Sequence, residues 1–359
     1  SKDGHAKFTD VTNTVAKELK AIGLVCDAVF TDYNNDGWID LVLAGEWMPV
    51  TVFRNDKGIF SNQTAATGIA DRIGWWNSLA AGDFDNDGDE DYVAGNLGLN
   101  SFYRASDKYP IGIYAKDFDG NGSYDAFPSL FLPYNLTDNT LVEFPAQTRD
   151  DIIKQMISMR EKFPNYKSFA ETPMQNLFTK EQLKDALIMK ANHLQSSIIR
   201  NNGNGKFSLE PLPMQAQIST LNGMTVDDFD GDGNADIAIV GNDYGTEVSV
   251  GRYDALNGLI LKGNGKGTFQ SLAIAKAGLF VPGNARALVK LLGKDNTYQL
   301  AASSNGGPLQ LFGASNNTRH YIRLGTNDIS ATITMNNGTL QKQEFYYGVS
   351  FLSQSSRFM

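Results

Sequence analysis

Four nine-residue acidic segments constrain this chain more than any other feature. They are Asp32-Tyr-Asn-Asn-Asp-Gly-Trp-Ile-Asp40, Asp83-Phe-Asp-Asn-Asp-Gly-Asp-Glu-Asp91, Asp117-Phe-Asp-Gly-Asn-Gly-Ser-Tyr-Asp125 and Asp228-Phe-Asp-Gly-Asp-Gly-Asn-Ala-Asp236. Each places Asp or Asn at positions 1, 3 and 5, Gly at position 6 and Asp at position 9. Side-chain oxygens at this spacing, closed by a tight turn, form a cage for a hard cation. The expected ligands are Asp32, Asn34, Asp36 and Asp40; Asp83, Asp85, Asp87 and Asp91; Asp117, Asp119, Asn121 and Asp125; and Asp228, Asp230, Asp232 and Asp236. Gly37, Gly88, Gly122 and Gly233 permit the sharp bend.

Calcium accepts six to eight oxygens in flexible geometry, so the expected cofactor is Ca²⁺, about four structural ions in all. The smaller Mg²⁺ demands a tighter octahedron and keeps its waters. No His or Cys joins any loop, which disfavours Zn²⁺. These are not EF-hands: position 12 holds Leu43, Ala94, Pro128 and Ile239 where a bidentate Glu would be needed. The loops contain 14 of the 40 acidic residues at ligand positions, and four divalent ions would nearly cancel the formal net charge of −9. With no Lys/Arg run, nucleic acid is not an expected partner.

The apolar fraction of 42% fits a folded chain, and 35 glycines between short apolar runs favour many short strands. Cys26 is the sole cysteine, so no intrachain disulfide can form, and its apolar setting reads as a small buried hydrophobe. No stretch of about 18 apolar residues is present, so no membrane-spanning helix is expected. The start at Ser1, without Met or a leader, is expected of a processed product or part of a longer protein.

A strand–loop–strand unit surrounds each acidic segment. Lead-in runs are Cys26–Thr31, Ser78–Gly82, Gly112–Lys116 and Gly223–Asp227; lead-out runs begin at Asp40, Asp91, Asp125 and Asp236. Third strands follow at Val50–Arg54, Ser197–Arg200 and Gly258–Lys262, and fourth strands after Gly58, Gly205 and Gly267. Four strands per unit with a metal turn between the first two predict an all-β chain, a β-propeller of six or seven four-stranded blades. A fifth, metal-free unit is predicted over Ala287–Ala302.

A helical insertion is predicted over about 145–195, lying over one blade. Thr148 caps one helix, and Thr179-Lys-Glu-Gln182 is the capping box of a second. Met156 and Met159 on this segment are expected to pack rather than bind. The opening Ala6–Thr12 reads as a fourth strand completed by C-terminal strands at Tyr321–Leu324, Ala331–Met335 and Glu344–Leu352, which would close a single 1–359 propeller domain.

The repeated Asp-x-Asp-x-Asp-Gly-x-x-Asp loops resemble the FG-GAP/VCBS repeats of integrin α-subunit propellers and of many bacterial surface proteins. Tyr346-Tyr-Gly-Val-Ser-Phe-Leu-Ser-Gln-Ser-Ser-Arg357, within about 318–359, is similar to the end of an ASPIC/UnbV module. Gly45-Glu-Trp-Met-Pro49, Gly74-Trp-Trp-Asn77, Gly95-Asn-Leu-Gly-Leu-Asn100 and Gly251-Arg-Tyr-Asp-Ala255 are similar to an exported Gram-negative surface subfamily. The resemblance implies a propeller, calcium in its loops and an extracytoplasmic address: cell surface, outer-membrane-associated or secreted. It implies no catalytic residue.

No catalytic constellation emerges from the residues themselves. His5, His193 and His320 are scattered, and neither a Gly-x-Ser-x-Gly elbow nor a phosphate loop is present. Trp47, Trp75 and Trp76, with Asn77, Asn96 and Asn100, are read as packing between blades or as a sugar-stacking platform; Glu46 and Arg252 are read as ligand contacts or inter-blade pairs. The favoured expectation is a non-catalytic, calcium-binding scaffold or binding module for a surface protein or glycan. The alternatives are a polysaccharide lyase or hydrolase and an accessory subunit of an outer-membrane assembly.

Overall fold

Short antiparallel strands dominate the computed structural model, which describes residues 8–135, 140–314, 321–335, 338, 340–345, 348 and 353–359. His5, His320 and much of the C-terminal run Tyr346–Arg357 lie outside the described residues. Two compact units are present. One comprises Ser1–Asp71, Trp75–Asn100 and Gln195–Met359, and the other Arg72–Gly74 and Ser101–Leu194.

In the larger unit, β1 (Leu24–Thr31), β2 (Asp40–Met48), β3 (Thr51–Asp56) and β4 (Ile59–Asn62) form a sheet in sequence order; the two-residue β5 (Gly74–Trp75) follows. The next two strands are β6 (Ser78–Gly82) and β7 (Asp91–Gly95). The smaller unit then contributes β8 (Ile111–Lys116), β9 (Asp125–Pro133), β10 (Leu141–Pro145) and β11 (Leu187–Ala191). On return, β12 (Ser197–Asn201) and β13 (Phe207–Pro211) complete the sheet of β6 and β7, in the order β13-β12-β7-β6. Ser197 pairs with Ala94, so the whole 101–194 segment replaces a hairpin turn. Further sheets are β14 (Leu221–Asp227), β15 (Asp236–Gly241), β16 (Leu259–Gly263) and β17 (Phe269–Leu272), then β18 (Ala285–Leu292), β19 (Tyr298–Ser304) and β20 (Gln310–Gly313). A hairpin of β21 (Ser330–Thr334) and β22 (Leu340–Glu344) ends the series.

The larger unit's sheets pack face to face. Val29, Val42 and Val52 meet Leu79, Tyr92 and Phe207 around the fully buried Trp76. Val93 and Ile198 meet Met224, Ile237 and Leu261 on the next interface. Val240 and Ile260 then meet Leu288, Leu300 and Phe358. Each fully buried aliphatic side chain adds roughly 1.5–3 kcal/mol to this packing. Both faces of β2, β7 and β15 are covered, which explains continuous apolar runs such as Ile237–Val240. Gly241 closes that run because a Cβ there would stand 2.0 Å from the Thr220 carbonyl.

The smaller unit holds its own sheet, in the order β10-β9-β8-β11, against helices Arg149–Gln155, Met159–Lys162 and Tyr166–Ala170. Thr148 caps the first, its side chain accepting from Asp151 N. Met156 and Met159 are buried with Phe127, Ile152 and Leu177, so they are core rather than a binding face.

Three expectations change. Helix ends well before residue 195, because Leu187–Ala191 pairs with β8 as a strand. The Thr179–Gln182 capping-box bonds do form, at 2.9 and 3.2 Å, but they stabilise a turn. Among the described residues the N-terminal segment contains a helical turn, Thr12–Val15, and no strand that could join β21 or β22. The two C-terminal strands pair with each other, and polar bonds to the acidic loops hold β22 instead of a sheet edge.

Candidate metal centre

Each acidic segment turns between the first two strands of its unit: β1 and β2, β6 and β7, β8 and β9, β14 and β15. The same bonds build every turn. The position-1 carboxylate accepts from the backbone N–H of Gly37, Gly88, Gly122 or Gly233 at 2.9–3.1 Å. Its other oxygen accepts from the position-5 N–H of Asp36, Asp87, Asn121 or Asp232 at 3.0–3.2 Å. Position 5 in turn accepts from the position-7 N–H of Trp38, Asp89, Ser123 or Asn234. The chain thus folds around its own carboxylates, and the Gly conformation near φ +85° in each turn makes room for this.

Position 9 anchors each turn from the second strand. Asp40, Asp91 and Asp236 accept from Asn55, Asn201 and Gly263 N–H on the third strand at 2.6, 2.7 and 2.8 Å. Burial pushes Asp91 up to about 8, Asp40 to about 7 and Asp236 to about 6 from an ordinary 3.8, and neighbouring loop carboxylates add to the rise. Burial also raises Asp125. These carboxylates are costly to charge without a cation nearby.

Carboxylate oxygens of Asp83, Asp85 and Asp87, of Asp117, Asp119 and Asp125, and of Asp228, Asp230 and Asp236 converge within 4.8 Å in each group. Asp91 and Asp232 stand outside those groups. Among the described residues the first loop forms no such group, with Asn34 occupying its third position. Asp85 Oδ1 is buried without a hydrogen-bond partner. Acceptor-only, oxygen-only and carboxylate-rich, this donor set suits a hard divalent cation.

Several residues at the loops were not foreseen. Asn35 Nδ2 donates to Asp89 Oδ1 at 2.6 Å and Asn86 Nδ2 to Asn234 Oδ1 at 3.1 Å, joining three loops of the larger unit in series. Lys342 N donates to Asp83 Oδ2 at 3.0 Å, Lys342 Nζ to the Asp32 carbonyl at 3.2 Å and Gln341 to Asn86 at 3.1 Å. Arg54, Arg200 and Lys262 pair with loop carboxylates. The repeated dipeptides Arg54-Asn55, Arg200-Asn201 and Lys262-Gly263 were the available signal for the last set.

Trp76 and Asn96 are fully buried and structural. Asn77 donates to the Trp75 carbonyl and Asn100 to the Ile218 carbonyl. Trp47, at φ +60°, meets Trp75 edge-on with ring centroids 5.1 Å apart. Arg252 stacks over Tyr244.

These features define an all-β protein of antiparallel sheets whose acidic hairpin turns gather carboxylate oxygens. Residues 32–94, spanning the first two acidic turns, match the model of the FG-GAP-like repeat. The structure is similar to that of the V. cholerae biofilm matrix protein Bap1, with 12% identity and a TM-score of 0.29, over 92% of this chain and 70% of that one. No curated protein matches the chain. Among the described residues no helix is long and apolar enough to cross a membrane.

Proposed function

We propose that this chain is a non-catalytic, calcium-stabilised binding or scaffold module that works outside the cytoplasm at a bacterial surface. The convergence of three carboxylates within 4.8 Å in three separate loops carries this reading. Calcium would be held by positions 1, 3, 5 and 9 of each loop, and it would fix the turn joining two strands. The FG-GAP-like match over residues 32–94 supports a propeller arrangement and an exported address. The ASPIC/UnbV-like end belongs to the same proposal. A glycan is the ligand class favoured by the half-buried Trp47–Trp75 pair, since flat sugar faces stack on such rings.

Melting in excess EDTA and in millimolar calcium tests the reading. The expected result is a large upward shift with calcium, because an ion that binds only the folded state adds to its stability. Equal melting curves would overturn it. A glycan array, read with wild type and Trp47→Ala, tests the ligand class.

A further inference from the structure

Two of the acidic loops have one carboxylate more than the others. The second and fourth place Asp at positions 1, 3, 5 and 9, whereas Asn34 and Asn121 replace one Asp in the first and third. The two richer loops are the two that carry a close basic side chain. Arg200 Nη1 lies 2.6 Å from Asp85 Oδ2 at position 3 of the second loop. Lys262 Nζ lies 2.9 Å from Asp232 Oδ2 in the fourth and also pairs with Asp230. In the first loop Arg54 reaches only to 4.0 Å from Asp36. Among the described residues no Lys or Arg pairs with Asp117, Asp119 or Asp125 of the third. With one close cation set against four carboxylates, the ligand positions of the second and fourth loops carry a net three negative charges, as do the three carboxylates of the third.

The basic residues arrive there by the same construction. Arg54, Arg200 and Lys262 each lie near the end of the third strand, one residue before the N–H that anchors the position-9 Asp. The register that fixes the loop thus also delivers a cation to its mouth. Lys262 bridges Asp230 and Asp232, two of the expected ligand residues, so its ammonium competes with a divalent ion for their charge. It is one-third exposed and can swing into water, whereas Arg200 is 19% exposed and also bonds the Lys266 and Gly267 carbonyls.

We propose that Arg200 and Lys262 are resident counter-cations: they neutralise the fourth carboxylate while these two loops are empty, and they yield to calcium when it binds. The second half rests on the calcium reading; the first does not. The empty loop is held shut by an internal cation, and calcium binding is weakened by the need to displace it. Ligand charge count sets affinity in oxygen sites, so removing the competitor tightens binding.

The test compares Lys262→Gln with wild type, with the charge-keeping Lys262→Arg and with Lys276→Gln, an exposed lysine away from the loops. In EDTA at low salt, Lys262→Gln is expected to melt below the other three. In a calorimetric calcium titration it is expected to tighten one site by about twofold to fivefold, the scale of one part-exposed ion pair. If Lys262→Gln is too unstable in EDTA to titrate, the first expectation is met and Lys262→Arg must restore the fold. If Lys262→Gln matches Lys276→Gln in both measurements, the inference falls while the calcium reading stands. If wild type takes up no calcium but Lys262→Gln still melts low in EDTA, the calcium reading falls and the counter-cation role remains.

Discussion

Asn35 of the first acidic loop donates its side-chain amide to Asp89 of the second at 2.6 Å. Position 4 of one loop is thereby tied to position 7 of the next, and Asn86 repeats the link to Asn234. Asn35 and Asn86 both adopt left-handed backbone, at φ 54° and 59°, which Asn tolerates better than other non-Gly residues. Asn35→Ala should destabilise the metal-free protein by about 2 kcal/mol, combining the lost bonds to Asp89 and from Lys342 with left-handed strain. Asn35→Gly should cost less, because the bonds are lost without the strain. Denaturant melts of the two variants separate these terms; equal losses would show that the backbone conformation is not a factor.

Asp91 anchors the second loop from its second strand, accepting from both Asn201 and Phe84 N–H. Asp91→Ala would leave two inward-facing donors unpaired at a cost of roughly 3 kcal/mol. Asp91→Asn should be milder in EDTA, since it keeps an acceptor and removes a charge that burial penalises. In calcium the ranking should favour wild type over Asn. Melting both variants with and without the metal checks the reversal.

Asp27 supplies a pH signal away from the loops. Its carboxylate accepts from Leu79 N at 2.7 Å, and burial pushes its pKa up to about 6 from 3.8. The folded state therefore holds this proton more tightly than the unfolded chain. The associated stability is fully present below about pH 4 and is lost as pH rises through about 6, on the order of 2 kcal/mol. Asp27→Asn should flatten that part of the wild-type stability curve between pH 4 and 6.5. A variant curve parallel to wild type would contradict the assignment.

Glu344 clasps the C-terminal hairpin to the first loop, accepting from Asp32 N at 3.2 Å and pairing with Lys342 at 2.8 Å. Its own N–H donates to the buried Glu90 at 3.1 Å. Glu344→Ala should cost about 2–3 kcal/mol and expose the Asp32 amide to solvent. Hydrogen exchange at Asp32 and along Leu340–Glu344 should accelerate together.

Much of the larger unit was legible in the sequence because its signals are local. Alternating turns and apolar runs gave β1 to β4 and β14 to β17, and a single capping residue marked the helix after Thr148. The pairing of β12 with β7 was hidden because its partners lie a whole inserted unit apart. Leu187–Ala191 carried a helix-like start signal at Thr179, and pairing with the edge of β8 overrode it. The acidic turns could be located from spacing alone. The links between loops, Asn35 to Asp89 and Arg200 to Asp85, join separate stretches of chain and could not be named that way.

Calcium uptake by the EDTA-stripped full chain, followed by calorimetry with parallel melting curves, tests the central claim most directly. The account expects about four ions per chain and a melting temperature that climbs with calcium concentration. No uptake at millimolar calcium, with the same melting curve in EDTA, would contradict it.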